Sequence, residues 1–533
     1  MLLFLLGLAS TYLGVLLLER LIQPSPAGPQ PLIHRMSLLT AMPGIMLYLT
    51  FFMISYRAVF SLALTLLVYT AIVIVNNAKY RALNEPLVFS DFALLRQAVR
   101  HPRLYVKYIG VFNIVMVAVT AVVLTTGAVL YEPPLVKRNA IADFFPAVIY
   151  LFVLLGMIYA ATRGPFRQSM RNLLLRFGPT TDITRDKDQI SIVVCLIVYF
   201  FLANEPDPAR ARARRHLARH TGSRANARAS PHPRLPAAEL PDIVTVQNES
   251  FFDARRISSA LNGDLLASFD ALAGEACYTG RLAVPAFGAN TMRTEFEVLS
   301  GLPNDALGVH RFNPYLQLGK RPVWTLASQL RALGYRTVCI HPFAANFFDR
   351  DEVYPNLGFD AFLDIESFPG AEHDGLYISD AAVADKVREV LGDHSQPVFV
   401  FAITMENHGK WEPGRLDAAT ENAILADPPL GSPELGRYLH HLRNADAMLE
   451  RLAGLLKTRP RGGVLCFFGD HIPSFPSLFR NHGFHDARTD YCIWRTGGGE
   501  SHRLDVPAHA LGRLVLDAAL AQAAPQSVEA AAS

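Results

Sequence analysis

The side chains in this chain most able to do chemistry stand just after short apolar runs. Glu249 follows 243-IVTVQ-247, and Glu406-Asn407-His408 follow 398-VFVFAIT-404. Asp470-His471 follow 464-VLCFF-468, and His341 leads from 336-RTVCI-340 towards 347-FFDRDEVY-354. Where such runs form neighbouring parallel strands, groups just beyond their carboxyl ends converge on one edge of the sheet. Glu249, Asp470 and His471 would then offer two oxygens and one imidazole nitrogen, a set that suits a hard or borderline divalent ion with one position open. Taken singly, each has an ordinary explanation, since Gly-Asp is common turn chemistry. Their shared placement is what points to a metal.

A hydroxyl completes the candidate chemistry. The segment 288-GANTMRTEFEVLSGLP-303 reads as a loop entering a helix, with Asn290 or Thr291 near the N-cap. Capping is the usual task of a threonine there. The same position faces free backbone amides and the positive helix end, which suit a phosphate. A threonine is a weak nucleophile unless a base or a metal lowers its pKa. Thr294, one turn on, competes for that role by spacing.

These groups need a scaffold. From Pro241 to about residue 520, continuous apolar runs alternate with helical stretches at 293–301, 322–333, 378–391, 434–457 and 508–521. With a further run at 491–494, this predicts an α/β domain with a largely parallel sheet covered on both faces. The five cysteines match no zinc spacing and no disulfide framework, and read as buried thiols. Residues 521–533 form an Ala/Gln-rich tail.

The first part of the chain is different in kind. Apolar residues make up 51% of the sequence and mean hydropathy is +0.20, with the excess before residue 204. Six spans are expected, at 2–18, 36–55, 58–76, 109–131, 144–162 and 190–203, the last short for a bilayer. The first lacks the basic start and small-residue cleavage site of a signal peptide. Loop 77–108 carries Lys79, Arg81, Arg96, Arg100, Arg103 and Lys107. Loop 163–189 carries Arg163, Arg167, Arg171, Arg176, Arg185 and Lys187, whereas 132–143 has only Lys137 and Arg138. The positive-inside rule puts the two richer loops in the cytoplasm and everything after residue 204 outside. Residues 204–240 are an Arg/Pro-rich linker, either a solvated connector or a juxtamembrane patch for anionic phospholipid. A net charge of +3 gives no case for nucleic acid.

In order along the chain, VQNESFF, NTMRTEF, FDRDEVY, DGLYISD, TMENH and GDHIP resemble the motifs of lipoteichoic acid synthases and related phosphoglycerol transferases, sulfatase-like members of the alkaline phosphatase superfamily. The stretch 76-NNAKYRALNEPLVFSDFALL-95 is similar to that family's loop between spans. The resemblance implies that Glu249, Thr291, Asp470 and His471 ligate one divalent metal, manganese or magnesium with zinc as a further option. It also implies that Thr291 is the nucleophile, that His408 assists proton transfer at the leaving group, and that Arg350 binds the phosphoglycerol group. Phe348 stands where relatives often carry Trp, which keeps an aromatic wall and removes an N–H donor.

The implied reaction is ping-pong. Thr291 takes the head group from an anionic phospholipid donor, phosphatidylglycerol, and a glycan acceptor then takes it from phospho-threonine. With 8 Lys against 42 Arg, the composition suits a high-GC bacterium and a periplasmic or surface glycan rather than lipoteichoic acid. The expected location is the bacterial inner membrane, with the catalytic domain in the periplasm. Phosphoethanolamine transfer is the runner-up. A sulfatase proper ranks third, because Thr291 is neither the Cys nor the Ser that matures to formylglycine. A non-catalytic, membrane-anchored glycan-binding or export protein would need a degenerate site, and this set is intact.

Overall fold

A computed structural model describes residues 2–25, 37–93, 97, 100, 110–135, 144–203 and 240–523, apart from 262, 317, 393 and 394. The chain divides into two compact units, 1–209 and 210–533. The expected linker, Leu240 excepted, and the tail beyond Ala523 lie outside the described residues.

In the first unit, α1 (Leu2–Glu19), α2 (Ser37–Ser55), α3 (Ala58–Leu83) and α4 (Val111–Tyr131) are long and apolar enough to cross a membrane. A fifth span exists if α5 (Phe144–Thr162) and α6 (Arg167–Leu175), bent by 76° at their junction, count as one. The sixth expected span needs correction. Ser191, at φ 76°, separates α7 (Ile183–Ile190) from α8 (Ile192–Ala203). The 12 residues of α8 reach about 18 Å at 1.5 Å per residue, short of the ~30 Å apolar core of a bilayer. The third span is longer than expected, so Lys79 and Arg81 sit on its last turns rather than in a loop. Lys79 is 2.8 Å from both Glu85 and Asp91.

Glycines let α1, α2 and α3 touch. A Cβ on Gly7 would lie 2.2 Å from the Tyr48 hydroxyl, and one on Gly44 2.5 Å from Val15. The tight turn at Tyr56-Arg57 is stabilised from the end of α4, where the Glu132 carboxylate accepts the Val59 and Phe60 amides, each at 2.9 Å. At the other end of the bundle, the Gln23 amide donates to Asn77 at 2.8 Å and the Ile192 amide to Glu19 at 3.4 Å. The start of α8 therefore shares an end with the carboxyl ends of α1 and α3.

The second unit is built on a nine-stranded mixed sheet in the order β10-β2-β9-β8-β1-β7-β3-β4, with β11 pairing with β2. The strands are β1 (Asp242–Asn248), β2 (Tyr278–Ala283), β3 (Arg336–Ile340), β4 (Ala361–Leu363), β7 (Val398–Ile403), β8 (Gly463–Gly469), β9 (Thr489–Arg495), β10 (His502–Arg503) and β11 (Val506–Pro507). A separate hairpin joins β5 (His373–Asp374) and β6 (Tyr377–Ile378). The parallel centre β8-β1-β7-β3 is buried on both faces, so successive residues enter different cores. Val244, Val400 and Leu465 pack against α9 (Ala267–Glu275), α13 (Asp380–Leu391) and α15 (Pro433–Lys457). Ile243, Phe399 and Val464 pack against α10 (Met292–Ser300), α11 (Leu326–Ala332), α12 (Arg350–Asn356) and α17 (Ala508–Ala523). Two short helices, α14 (Ala418–Ala426) and α16 (Pro476–Asn481), complete the unit. The predicted helix 322–333 starts only at Leu326, because Thr325 caps it by accepting the Ser328 amide at 3.3 Å.

Candidate active site

Register assembles the core of the site. β1 and β8 pair in parallel with Asn248 opposite Gly469, so the next residue of each strand, Glu249 and Asp470, emerges at the same level. Gly469 is required for space: a Cβ there would fall 1.8 Å from the Phe251 carbonyl oxygen. One donor atom each from Glu249, Asp470 and His471 lies within 4.8 Å of the others, and all three residues are buried.

Their hydrogen bonds leave a place for a cation. Asp470 Oδ1 accepts the Ser250 and His471 amides, both at 2.9 Å, while its Oδ2 is buried without a partner. His471 Nδ1 is 3.1 Å from the Ile472 carbonyl and serves as the donor, which leaves the Nε2 lone pair facing Asp470 Oδ2 at 3.3 Å and Glu249 Oε1 at 3.6 Å. Burial, and then the adjacent Asp470 carboxylate, push the Glu249 carboxyl well above its ordinary range. Two carboxylates and an imidazole lone pair turned towards one another with no positive charge between them fit a divalent metal.

Thr291 stands directly before α10, and its side chain makes no capping bond. The capping role that its position suggests is therefore not filled. Two contacts tie its surroundings to the Asp470 loop: the Gly288 amide donates to the Ile472 carbonyl at 3.2 Å, and Thr294 Oγ1 donates to the Asp470 carbonyl at 2.7 Å. Thr294 is thus fully buried and committed, which separates the two threonines that spacing alone left as rivals.

Arg350 is 1% exposed and forms a two-point pair with Glu295, Nε to Oε1 at 3.2 Å and Nη2 to Oε2 at 2.8 Å. Although burial opposes ionisation, Arg350 holds the Glu295 carboxyl below its ordinary value. Its Nη1 donates to the Phe347 carbonyl at 3.4 Å and lies 3.3 Å from His341 Nε2. Phe348 adopts a left-handed φ of 58° and lays its ring 5.2 Å from the Arg350 guanidinium. His408 lies on the loop after β7, with Nδ1 2.8 Å from the Gly409 carbonyl and its ring 5.7 Å from that of Tyr377. Burial lowers its pKa to about 4, so it is neutral at pH 7.

Sequence spacing did not single out a second cluster, Asp374, His440 and His441, which also brings potential ligand atoms within 4.8 Å. Here the hydrogen bonds close. His440 Nε2 is 2.8 Å from Asp374, and Asn444 donates to both Asp374 and Glu406 at 2.7 Å. His441 donates from Nδ1 to Glu406 at 2.8 Å and accepts from Arg415 at Nε2 at 2.9 Å. With both ring nitrogens in use, His441 has no lone pair for an ion. The adjacent His440 and His441 on α15 were the sequence signal for this cluster.

A sulfatase family model matches residues 241–511. The chain belongs to the sulfatase family. As a sulfatase-family protein it is an enzyme of the alkaline phosphatase superfamily, and its apolar helices make it a membrane protein. It is 29% identical over 468 residues to the capsular polysaccharide biosynthesis protein RkpI of Rhizobium meliloti, covering 86% of this chain and 81% of that protein. A lipoteichoic acid synthase of Staphylococcus saprophyticus is 25% identical over 175 residues, covering 32% of this chain and 26% of the synthase. Among solved structures, the Streptococcus pyogenes phosphoglycerol transferase GacH in complex with sn-glycerol-1-phosphate is 22% identical, with a TM-score of 0.44, covering 58% of this chain and 82% of that one.

Proposed function

We propose that this sulfatase-family protein transfers the phosphoglycerol head group of phosphatidylglycerol to a periplasmic or surface glycan, through a phospho-threonine at Thr291. The observation that carries the reading is the uncapped Thr291 hydroxyl on a loop bonded to the Asp470 loop, beside a buried carboxylate–imidazole set whose ligand atoms lie within 4.8 Å of one another. Glu249, Asp470, His471 and Thr291 would hold one divalent metal. That ion would neutralise phosphoryl oxygens and favour the ionised threonine hydroxyl.

The chain's own groups supply the rest. Thr291 Oγ1 attacks phosphorus, the ester bond to diacylglycerol breaks, and the departing oxygen takes a proton. His408 Nε2, neutral in the resting site, takes the proton that Thr291 Oγ1 gives up and passes it to that oxygen. In the second half-reaction it takes the acceptor hydroxyl's proton and returns it to Thr291 Oγ1 as the phospho-threonine bond breaks. Arg350 and the Phe348 ring bind the glycerol phosphate. An acceptor glycan agrees with the capsular polysaccharide role of the Rhizobium meliloti relative. The charge of loops 77–108 and 163–189 supports a periplasmic second unit, where the outer leaflet supplies the donor. Because α8 alone covers only part of a bilayer, this placement requires a last crossing that uses residues beyond α8.

Lipid mass spectrometry after incubation with mixed phospholipids tests the donor. Loss of the head group from phosphatidylglycerol is expected, and loss from phosphatidylethanolamine alone would make the enzyme a phosphoethanolamine transferase. Reporter fusions after Pro206 and within 164–186 should report opposite sides of the membrane.

A further inference from the structure

Arg415 was not among the residues that sequence spacing singled out, and its surroundings are unusual. Its guanidinium is buried, with 6% of the residue exposed, yet among the described residues no carboxylate lies within ion-pair distance of it. Its donors go instead to the main chain of the loop that carries His408. Nη1 donates to the His408 carbonyl at 2.6 Å and the Lys410 carbonyl at 3.1 Å, and Nη2 to the Glu406 carbonyl. Nε donates to His441 Nε2 at 2.9 Å, and His441 Nδ1 returns to the Glu406 side chain at 2.8 Å. The Glu406 carboxylate is itself held by Asn444 at 2.7 Å and by the Asp380 amide at 2.6 Å.

A second contact links the same side chain to the His408 ring through Tyr377. The Arg415 guanidinium lies 5.6 Å from the Tyr377 ring centre, and Tyr377 lies 5.7 Å from the His408 ring. The β5–β6 turn is fitted to it as well, since a Cβ on Gly375, at φ 69°, would fall 2.8 Å from the Arg415 carbonyl oxygen. Burying a cation with no matching anion is costly, and it persists only where its hydrogen bonds are filled. Here they are filled by one loop and by His441 of α15. Arg350 offers the contrast: it is similarly buried, but bound to Glu295.

We propose that Arg415 is a positioning residue for the transfer reaction, which gathers three carbonyls of loop 406–410 so that the His408 ring is held at the leaving-group oxygen. This rests on His408 acting as the proton donor in the reading above. The role of Arg415 is geometric. A lysine keeps the charge but cannot reach three carbonyls and an imidazole from one planar group.

The test uses the full-length protein in detergent micelles, with phosphatidylglycerol and with aryl phosphodiesters whose leaving groups range from nitrophenol to phenol. A nitrophenolate departs without a proton, whereas a basic leaving group needs one. Arg415→Lys should lower kcat on the most basic leaving group by about 30-fold or more, a part of the roughly 10²–10⁴-fold that general acid catalysis contributes. It should leave KM within about threefold and cost little on nitrophenyl esters. His408→Ala should show the same dependence, and the double variant should be no slower than His408→Ala alone. Equal losses across the ester series, or a double variant whose loss is the product of the two single losses, overturns the proposal. If Arg415→Lys does not fold, His441→Leu, which removes the acceptor for Nε, should give the same leaving-group dependence with a smaller loss. A wild type that cleaves the aryl esters but neither phosphatidylglycerol nor phosphatidylethanolamine would refute the lipid donor while leaving the ester comparison to decide on Arg415.

Discussion

Two clusters in the second unit are made from the same kinds of side chain. Glu249, Asp470 and His471 stand at the carboxyl ends of β1 and β8, and Asp374, His440, His441 and Glu406 join the β5–β6 hairpin, α15 and the loop after β7. In the first, one carboxylate oxygen is buried without a partner and an imidazole lone pair faces two acids. In the second, both nitrogens of His441 and the acids around it are paired with one another and with Asn444. The difference is in closure rather than composition. An open set has room and charge for a cation, and a closed set is a brace.

The strongest way to break this distinction is to remove one member from each cluster. Glu249→Ala and His471→Ala should abolish bound metal and lower turnover by orders of magnitude, while Asp374→Ala and His440→Ala keep full metal content by elemental analysis. Metal loss from the second pair would make both clusters ion sites.

The threonines give the next contrast. Thr291→Ala should remove nearly all turnover with little effect on thermal unfolding, because no capping bond is lost. Thr294→Ala should do the reverse, costing about 1–3 kcal/mol by leaving the buried Asp470 carbonyl unpaired, with activity retained below the unfolding temperature. Peptide mass spectrometry without acceptor should find the head-group adduct on Thr291.

A smaller effect concerns the brace alone. His441→Ala should destabilise the fold by about 1–3 kcal/mol, since Glu406 and Arg415 each lose a buried partner. Chemical denaturation should register this with metal content unchanged.

The smallest effect depends on pH. The hydrogen bond to Asp374 raises the His440 pKa, and burial is outweighed. A raised folded pKa means stability that is fully present below the unfolded value near 6.5 and is lost as pH rises through the folded value. The melting difference between wild type and His440→Gln should therefore be larger at pH 6 than at pH 9.

Much of this was legible in the sequence for a simple reason. Strands buried on both faces leave unbroken apolar runs, and β1, β3, β7 and β8 were each located to within about two residues. β2 was missed because Tyr278–Ala283 is only partly buried, contains a glycine and pairs antiparallel near the sheet edge. The last membrane span read as one run because hydropathy does not register the left-handed backbone at Ser191. The candidate ligands could be read because each follows a strand. The pairing of Arg350 with Glu295, 55 residues apart, could not, nor could the fan of bonds from Arg415, since partner choice across a fold leaves no local spacing.

The alignment of Asn248 with Gly469 also governs which genetic changes the site can survive. A side chain within β1 or β8 can be exchanged for another of similar volume and the strand ends stay where they are. Adding or deleting one residue inside either strand shifts its end by about 3.3 Å relative to its neighbour and turns the following side chain to the opposite face. Glu249 and Asp470 would then no longer meet. Lineages carrying this fold should therefore accumulate substitutions in the central strands but confine changes of length to the connections between them.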